Sequence, residues 1–378
     1  MNEINKRNIG IDLLKMISML LVICTHIYMQ GGVLYAEKYG TAGYYISSFA
    51  YSISLCAVDC FIIIHGYCAC KSKFKLSRII ERWLLVLFWS VVISCIIMGI
   101  QPEMRSITEA ISMFFPILRG RYWFFNAFFV LFMFEPLLNH LIETLPERKY
   151  RLMLFAVGAV FCLIPIASLG NDVLKISGGA EFCWFFALYL IGGYLRKFVT
   201  NWEIGYKNYW NIALFFGLAL INLGYKAIIE NITSYVLGKA IFGELLWTNT
   251  SPIMIGEAIF LFLFFSRLKI ESDAVISKII NFITPLIFAV YIIHVHPCIF
   301  WNKAVVNAFA PLADQCPLLT LLFVIGIAII VFIVCVTLDF MRATLFRILK
   351  VHMICHKLDG RISSSIRKSL KIERVNDR

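Results

Sequence analysis

Apolar residues dominate ten stretches of the chain, near 10–30, 44–69, 83–100, 122–142, 152–169, 182–199, 210–225, 249–266, 280–300 and 318–341. A helix needs roughly 17–25 mostly apolar residues to cross a bilayer, and most of these stretches supply them. The runs are continuous rather than alternating, which predicts lipid-buried helices and not half-buried strands. The expected fold class is therefore all-α, a polytopic membrane protein of about ten transmembrane helices. Two connections, 101–121 and 226–248, are long enough for short helices on or dipping into the outer face. Glu103, Arg105 and Glu109 make the first one polar, which argues against deep re-entry.

Charge then orients the chain. With the N-terminus placed in the cytoplasm and the loops alternating, 26 of the 35 Lys and Arg residues fall inside. Eight fall outside, and Lys15 sits within the first span. Basic residues concentrate on the cytoplasmic side of membrane proteins, so both termini are expected there. Such an arrangement requires an even number of crossings. From Arg342 to Arg378 the chain is basic and is broken by Gly360 and by Ser363, Ser364 and Ser365. We divide it into a transmembrane domain, 1–345, and a basic cytoplasmic tail, 346–378. Part of the tail is expected to lie against anionic membrane lipid, and its end reads as disordered. Lys6 and Arg7 before an apolar run resemble the start of a signal peptide. No cleavage site follows and Lys15 interrupts the run, so a retained first span is expected.

Composition agrees with this picture. The 378 residues are 60% hydrophobic and 15% charged, where a soluble domain carries about 25% charged residues. The net charge of +12 is thus a topological signal, and no nucleic-acid partner is expected. Of twelve cysteines, Cys24, Cys56, Cys60, Cys95, Cys162 and Cys335 lie inside spans as small apolar residues. There is no Cys-x-x-Cys and no Cys/His spacing suited to zinc, so free thiols and no metal are expected. Tyr122, Trp123, Tyr209, Trp210, Trp247 and Trp301 fall at span ends, where interfacial anchoring accounts for them. No internal repeat is detectable, which weakens a transporter built from duplicated halves.

The candidate chemistry begins in the first span, with Asp12-Leu13-Leu14-Lys15, ten further residues, and His26. Eleven residues is close to three helical turns, so Lys15 and His26 share a face about 16 Å apart along the axis. Asp12 and Lys15, at i and i+3, can pair. Ionisable groups in a span are functional suspects by default. The plainer reading is an interfacial anchor followed by a packed histidine, and spacing alone leaves the two level. Asp59 in the second span needs a partner, with Lys15 or another basic group expected. Glu135 precedes Pro136, and it and Glu257 face either a hydrated cavity or an interhelical hydrogen bond, the latter favoured. His294 and His296 would diverge by about 200° on a regular helix, so one cavity takes only one of them. His294 is the candidate contact and His296 reads as structural.

These residues carry a resemblance. The first-span pattern is similar to that of the acyltransferase-3 family of bacterial integral-membrane acyltransferases, with Lys15 where arginine is usual. Further similar stretches follow in order: Val58-Asp59-Cys60-Phe61 running to Gly66-Tyr67, then Arg78 and Arg82. After these come Tyr122-Trp123-Phe124-Phe125, Glu135-Pro136-Leu137-Leu138-Asn139, Tyr189 through Gly192-Gly193 to Arg196, and Val290-Tyr291 to His294. The ordered set covers nearly the whole chain. His65 is a second departure, standing where a serine is usual, and reads as a helix-packing position.

The resemblance implies an enzyme of the bacterial cytoplasmic membrane, an O-acyltransferase that commonly uses acetyl-CoA and modifies surface polysaccharides. It also implies that the basic residue and histidine of the first helix, here Lys15 and His26, are essential. Histidine suits the proton removal that acyl transfer to a hydroxyl requires. Acyl-CoA is polyanionic and cytoplasmic, so Lys15, Arg78 and Arg82 form its expected cradle. Lysine keeps the charge but lacks the planar fork of arginine. Tyr122, Trp123 and His294 are expected to contact the acceptor, a glycan or lipid-linked sugar, with Asp12, Asp59 and Glu135 supporting. A separate envelope protein could complete the transfer. Two alternatives stay open here: a glycan succinyltransferase, and a transporter or flippase using the same intramembrane polar groups.

Overall fold

A computed structural model describes residues 7–199 and 207–376. Among these the chain is helical throughout and contains no strands. Its longer helices are α1 (Ile9–Met29), α2 (Ala42–Leu55), α3 (Ala57–Ala69), α4 (Leu76–Ile100), α5 (Ile107–Phe114), α6 (Trp123–Thr144) and α7 (Glu147–Gly158). They continue as α8 (Phe182–Tyr194), α9 (Tyr209–Leu237), α10 (Pro252–Ser266), α11 (Val275–Ile283), α12 (Ile287–His294), α13 (Pro317–Ile348) and α14 (Val351–Asn376).

Nine helical segments among the described residues are long and apolar enough to cross a membrane. The expected span outside that number is the eighth, 249–266, which corresponds to α10 and has only 15 residues. That is about 22 Å of helix. The chain before it, Trp247 to Asn249, forms part of an internal cavity wall, so α10 starts from a loop already folded inward. Counting α10 keeps the number of crossings even. The seventh span is longer than expected, reaching Leu237 and taking Lys226 into its buried face. The ninth is two helices, α11 and α12, joined by a 3-10 turn at Thr284–Leu286 that contains Pro285. Proline lacks the N–H that a continuous helix would use there. As expected from its length, the connection 101–121 carries a short helix, α5. The tail forms one helix, α14, which runs through Gly360 and the serine run where a break was expected.

α1 is the central post. It packs against α2, α3, α10, α11, α12 and α13. Asn8 caps its start by accepting the Ile11 N–H at 3.1 Å, while its amide donates to Ser266 O at 2.7 Å. Small residues then allow backbones to touch, as is common between helices in lipid. A Cβ on Gly10 would lie 2.0 Å from Phe265 O. At the α3–α8 crossing, a Cβ on Gly66 would lie 2.2 Å from Tyr189 O, and one on Gly192 would lie 2.2 Å from Ile63 O.

Polar groups lock the bundle at several depths. Asn139 accepts from Tyr189 Oη at 2.6 Å and donates to Ala69 O at 3.3 Å. Lys197 Nζ donates to Ile142 O, Glu143 O and Leu145 O at the end of α6, where a cation meets the unpaired carbonyls of a helix terminus. Asp339 on α13, fully buried, holds Arg342 through two 2.7 Å hydrogen bonds and accepts from Trp89 Nε1 of α4 at 2.9 Å. All twelve cysteines are free thiols.

The Gly192 contact is with backbone, which cannot swing away. Gly192→Leu is therefore expected to abolish the monodisperse peak in size-exclusion chromatography from detergent. Gly224→Leu, which meets open space, is expected to leave that peak intact.

Candidate functional site

A cavity of about 690 Å³ runs beside α1. That volume lies in the range of small-molecule and cofactor sites. Lys15, Cys68, His65 and Arg82 line the end that the charge pattern assigns to the cytoplasm. Trp123, Ser177, Gly178, Trp247, Thr248 and Asn249 line the other end, and His26 lies between. Most of the remaining wall is apolar, from Met19, Val22, Phe61, Phe124, Phe128 and Phe288 among others.

His26 does not stand alone. Its Nδ1 is 3.0 Å from Nε2 of His294 on α12, and His294 Nδ1 is 2.6 Å from the carbonyl of Val290. A carbonyl only accepts, so His294 Nδ1 must carry the hydrogen. In a neutral ring that leaves His294 Nε2 with a lone pair, which takes the hydrogen of His26 Nδ1. The unprotonated nitrogen of His26 is then Nε2. The chain of contacts selects one tautomer and leaves a basic atom on the residue that lines the cavity. Phe300 presses its edge on the same ring, with centroids 4.9 Å apart. The loop that carries Phe300 is tied to the end of α1 through Gln30 Nε2 to Phe300 O and Asn307 N to Gln30 O.

The cationic end is less symmetrical than the sequence suggests. Lys15 Nζ bonds Asp12 Oδ1 at 2.9 Å, and Arg7 holds the other carboxylate oxygen. Arg82 has no salt-bridge partner among the described residues; its guanidinium lies 5.4 Å from the ring centre of Phe288 and 5.9 Å from that of Phe128. Such faces attract cations while leaving the N–H groups available. Arg78 is exposed, donates to Ser72 Oγ at 3.3 Å and does not line the cavity. His65 lines the wall and meets Glu135 Oε1 at 2.5 Å, so Glu135 makes an interhelical bond and His65 is more than a packing residue. Asp59 is not paired with Lys15. Its Oδ1 accepts from Trp184 Nε1 at 3.3 Å, and the residue is fully buried away from the cavity. Glu257 is also buried and off the wall, and neither of its carboxylate oxygens has a hydrogen-bond partner among the described residues, so it makes neither of the two expected contacts.

At the outer end, Trp123 lines the cavity and Tyr122 does not. Tyr122 is buried against Tyr291 and His296. His296 belongs to a separate buried group, where Arg121 meets Glu109 at 2.7 Å and reaches within 3.1 Å of His296 Nε2. Burial pushes the Glu109 carboxyl up, but hydrogen bonds from Ser94, Arg121 and Cys298 and the Arg121 charge outweigh it and hold the group below the usual glutamate range. This group fastens α5 to α4. His294, expected to contact the acceptor, does not line the cavity; it stands behind His26, which does. The loop after α9 is held similarly: Lys226 bonds Glu230 at 2.6 Å and lies 4.3 Å from the ring centre of Trp247. Gly178 reaches the wall with φ of +63°, and its carbonyl accepts from Asn249 N at 3.1 Å. Ser177, Gly178, Trp247, Thr248 and Asn249 went unnoticed as wall residues in the sequence, since only the meeting of two distant loops brings them together.

A cavity with two ends has a direct chemical test. In a background stripped of the other cysteines, Cys68 is expected to react with an impermeant thiol reagent added to the cytoplasmic face. Asn249→Cys in a Cys68→Ser background is expected to react only from the opposite face. Labelling of both from one side would contradict the arrangement.

Neither the comparison with curated proteins nor that with solved structures finds a match. A family model described as an acyltransferase domain, Acyl_transf_3, matches residues 8–340. That match takes in every wall residue of the cavity and every span but the last turns of α13, and the chain belongs to the acyltransferase-3 family as a multi-pass membrane acyltransferase.

Proposed function

We propose that the protein moves an acetyl group from cytoplasmic acetyl-CoA to a hydroxyl of a cell-surface or lipid-linked glycan in the bacterial cytoplasmic membrane, with His26 as general base. The observation that carries this reading is the oriented His26–His294 pair on a cavity with cations at one end and aromatic and polar groups at the other. Donor phosphates meet Arg82 and Lys15, and the pantetheine arm extends along the apolar wall towards His26. The acceptor enters past Trp123 and Trp247, whose flat faces suit a sugar ring.

In the reaction, His26 Nε2 removes the proton of the acceptor hydroxyl as its oxygen attacks the thioester carbonyl carbon. The C–O bond forms, the C–S bond breaks, and the thiolate of coenzyme A recovers the proton from His26. His294 is a positioning residue that holds the tautomer and takes no part in bond making. Arg82, unpaired among the described residues, is the principal donor anchor, and Lys15 contributes less because Asp12 already shares its charge.

Kinetics separate these roles. His26→Ala is expected to lower kcat/KM by about 10²–10⁴-fold, the usual worth of a positioned base. His294→Ala should lower kcat while leaving the KM for acetyl-CoA near the parental value. Arg82→Ala should raise that KM more than Lys15→Ala does. Mass spectrometry of surface glycans from deletion and His26→Ala strains should show loss of the mass increment of one acetyl group. A purified His26→Ala protein that esterifies its acceptor at the parental rate would exclude the base assignment.

A further inference from the structure

The cytoplasmic tail holds a set of side chains that acyl transfer leaves unused. α14 docks along the start of α4. Asp359 Oδ2 accepts the Ser77 N–H at 3.3 Å, at a helix start whose own N-cap residue, Lys75, makes no capping bond. Cys355 is buried, while His352 and His356 on either side of it are exposed. Residues four apart on a helix stand on one face. The two imidazoles accordingly lie with ring centres 4.3 Å apart. Across the helix interface, Glu81 Oε1 is 2.5 Å from His352 Nδ1. One ligand atom from each of Glu81, His352 and His356 lies within 4.8 Å of the other two.

We propose that Glu81, His352 and His356 bind a divalent transition-metal ion, zinc foremost, that clamps the tail helix to α4. Two imidazoles and one carboxylate are the donors that zinc and its neighbours prefer, whereas calcium and magnesium select all-oxygen sets. Tetrahedral zinc, with bonds of about 2.0–2.1 Å, needs ligand atoms about 3.3 Å apart. Exposed imidazoles reach that spacing by side-chain rotation, without moving either helix. Binding at Nδ1 shifts the hydrogen between His352 and Glu81 to Nε2 of the same ring, so the imidazole stays neutral, and leaves water in the fourth position. Glu81 precedes Arg82, a cavity residue, on the same turn of α4. An ion there would fix the turn of α4 that carries Arg82.

The test uses full-length protein purified without a polyhistidine tag, stripped with a chelator and reconstituted in nanodiscs. Zinc is titrated by calorimetry, and cobalt by its visible absorption. One equivalent per chain is expected, with a tetrahedral cobalt spectrum and a raised melting temperature. Glu81→Gln and His356→Ala should each weaken zinc binding about tenfold or more, the loss that removal of even an outer-shell partner causes. His140→Ala, at an exposed histidine elsewhere, should change nothing. Size-exclusion profiles establish that each variant is folded. No stoichiometric binding to the parental protein, or binding that survives both ligand substitutions, would overturn the proposal. Neither result depends on acyl transfer.

Discussion

A charged or hydrogen-bonding side chain persists within a bilayer only where another polar group or water reaches it. That constraint accounts for the position of α1. Its Asp12, Lys15 and His26 could not face lipid, and six neighbouring helices surround it. Each polar group then has its own answer: Asp12 lies between Arg7 and Lys15, Lys15 borders the cavity, and His26 leans on His294. The close backbone contacts at Gly10, Gly66 and Gly192 follow from the same need, since neighbouring helices must approach closely to enclose those groups.

The imidazole pair links the fold to the proposed chemistry. α12 ends at His294, and that ending matters. A helix continued through His296 would be committed to regular backbone geometry. Instead the chain turns, His296 joins Arg121 and Glu109 in a separate buried network, and His294 stays beside His26. Two histidines close in sequence thereby serve different neighbourhoods, one behind the cavity residue His26 and the other bracing the short helix α5.

Much of this was legible in the sequence, and the gaps have physical causes. Hydropathy located the spans because the bilayer demands long apolar runs, and it misjudged α9 because Lys226 and Glu230 neutralise each other inside the bundle. The i, i+3 pairing of Asp12 with Lys15 follows from helix geometry alone. Asp59 was harder, since the expectation of a cation overlooked that an indole N–H can serve, and Trp184 is 125 positions away. The His26–His294 contact spans 268 positions, and the Glu81–His352 contact spans 271. No local spacing encodes either. The expectation of no metal rested on spacing within single stretches, and such spacing does not register the grouping of Glu81 with His352 and His356 across α4 and α14.

The outer wall of the cavity comes from two loops, one bearing Ser177 and Gly178 and the other bearing Trp247 through Asn249. Neither contributes to the inner wall around Lys15, His65 and Arg82. On the proposed reading, recognition of what is modified and recognition of what is donated would be written in separate parts of the polypeptide. Exchange of those loops offers a route by which descent within the family could retarget the enzyme while its central machinery stayed the same.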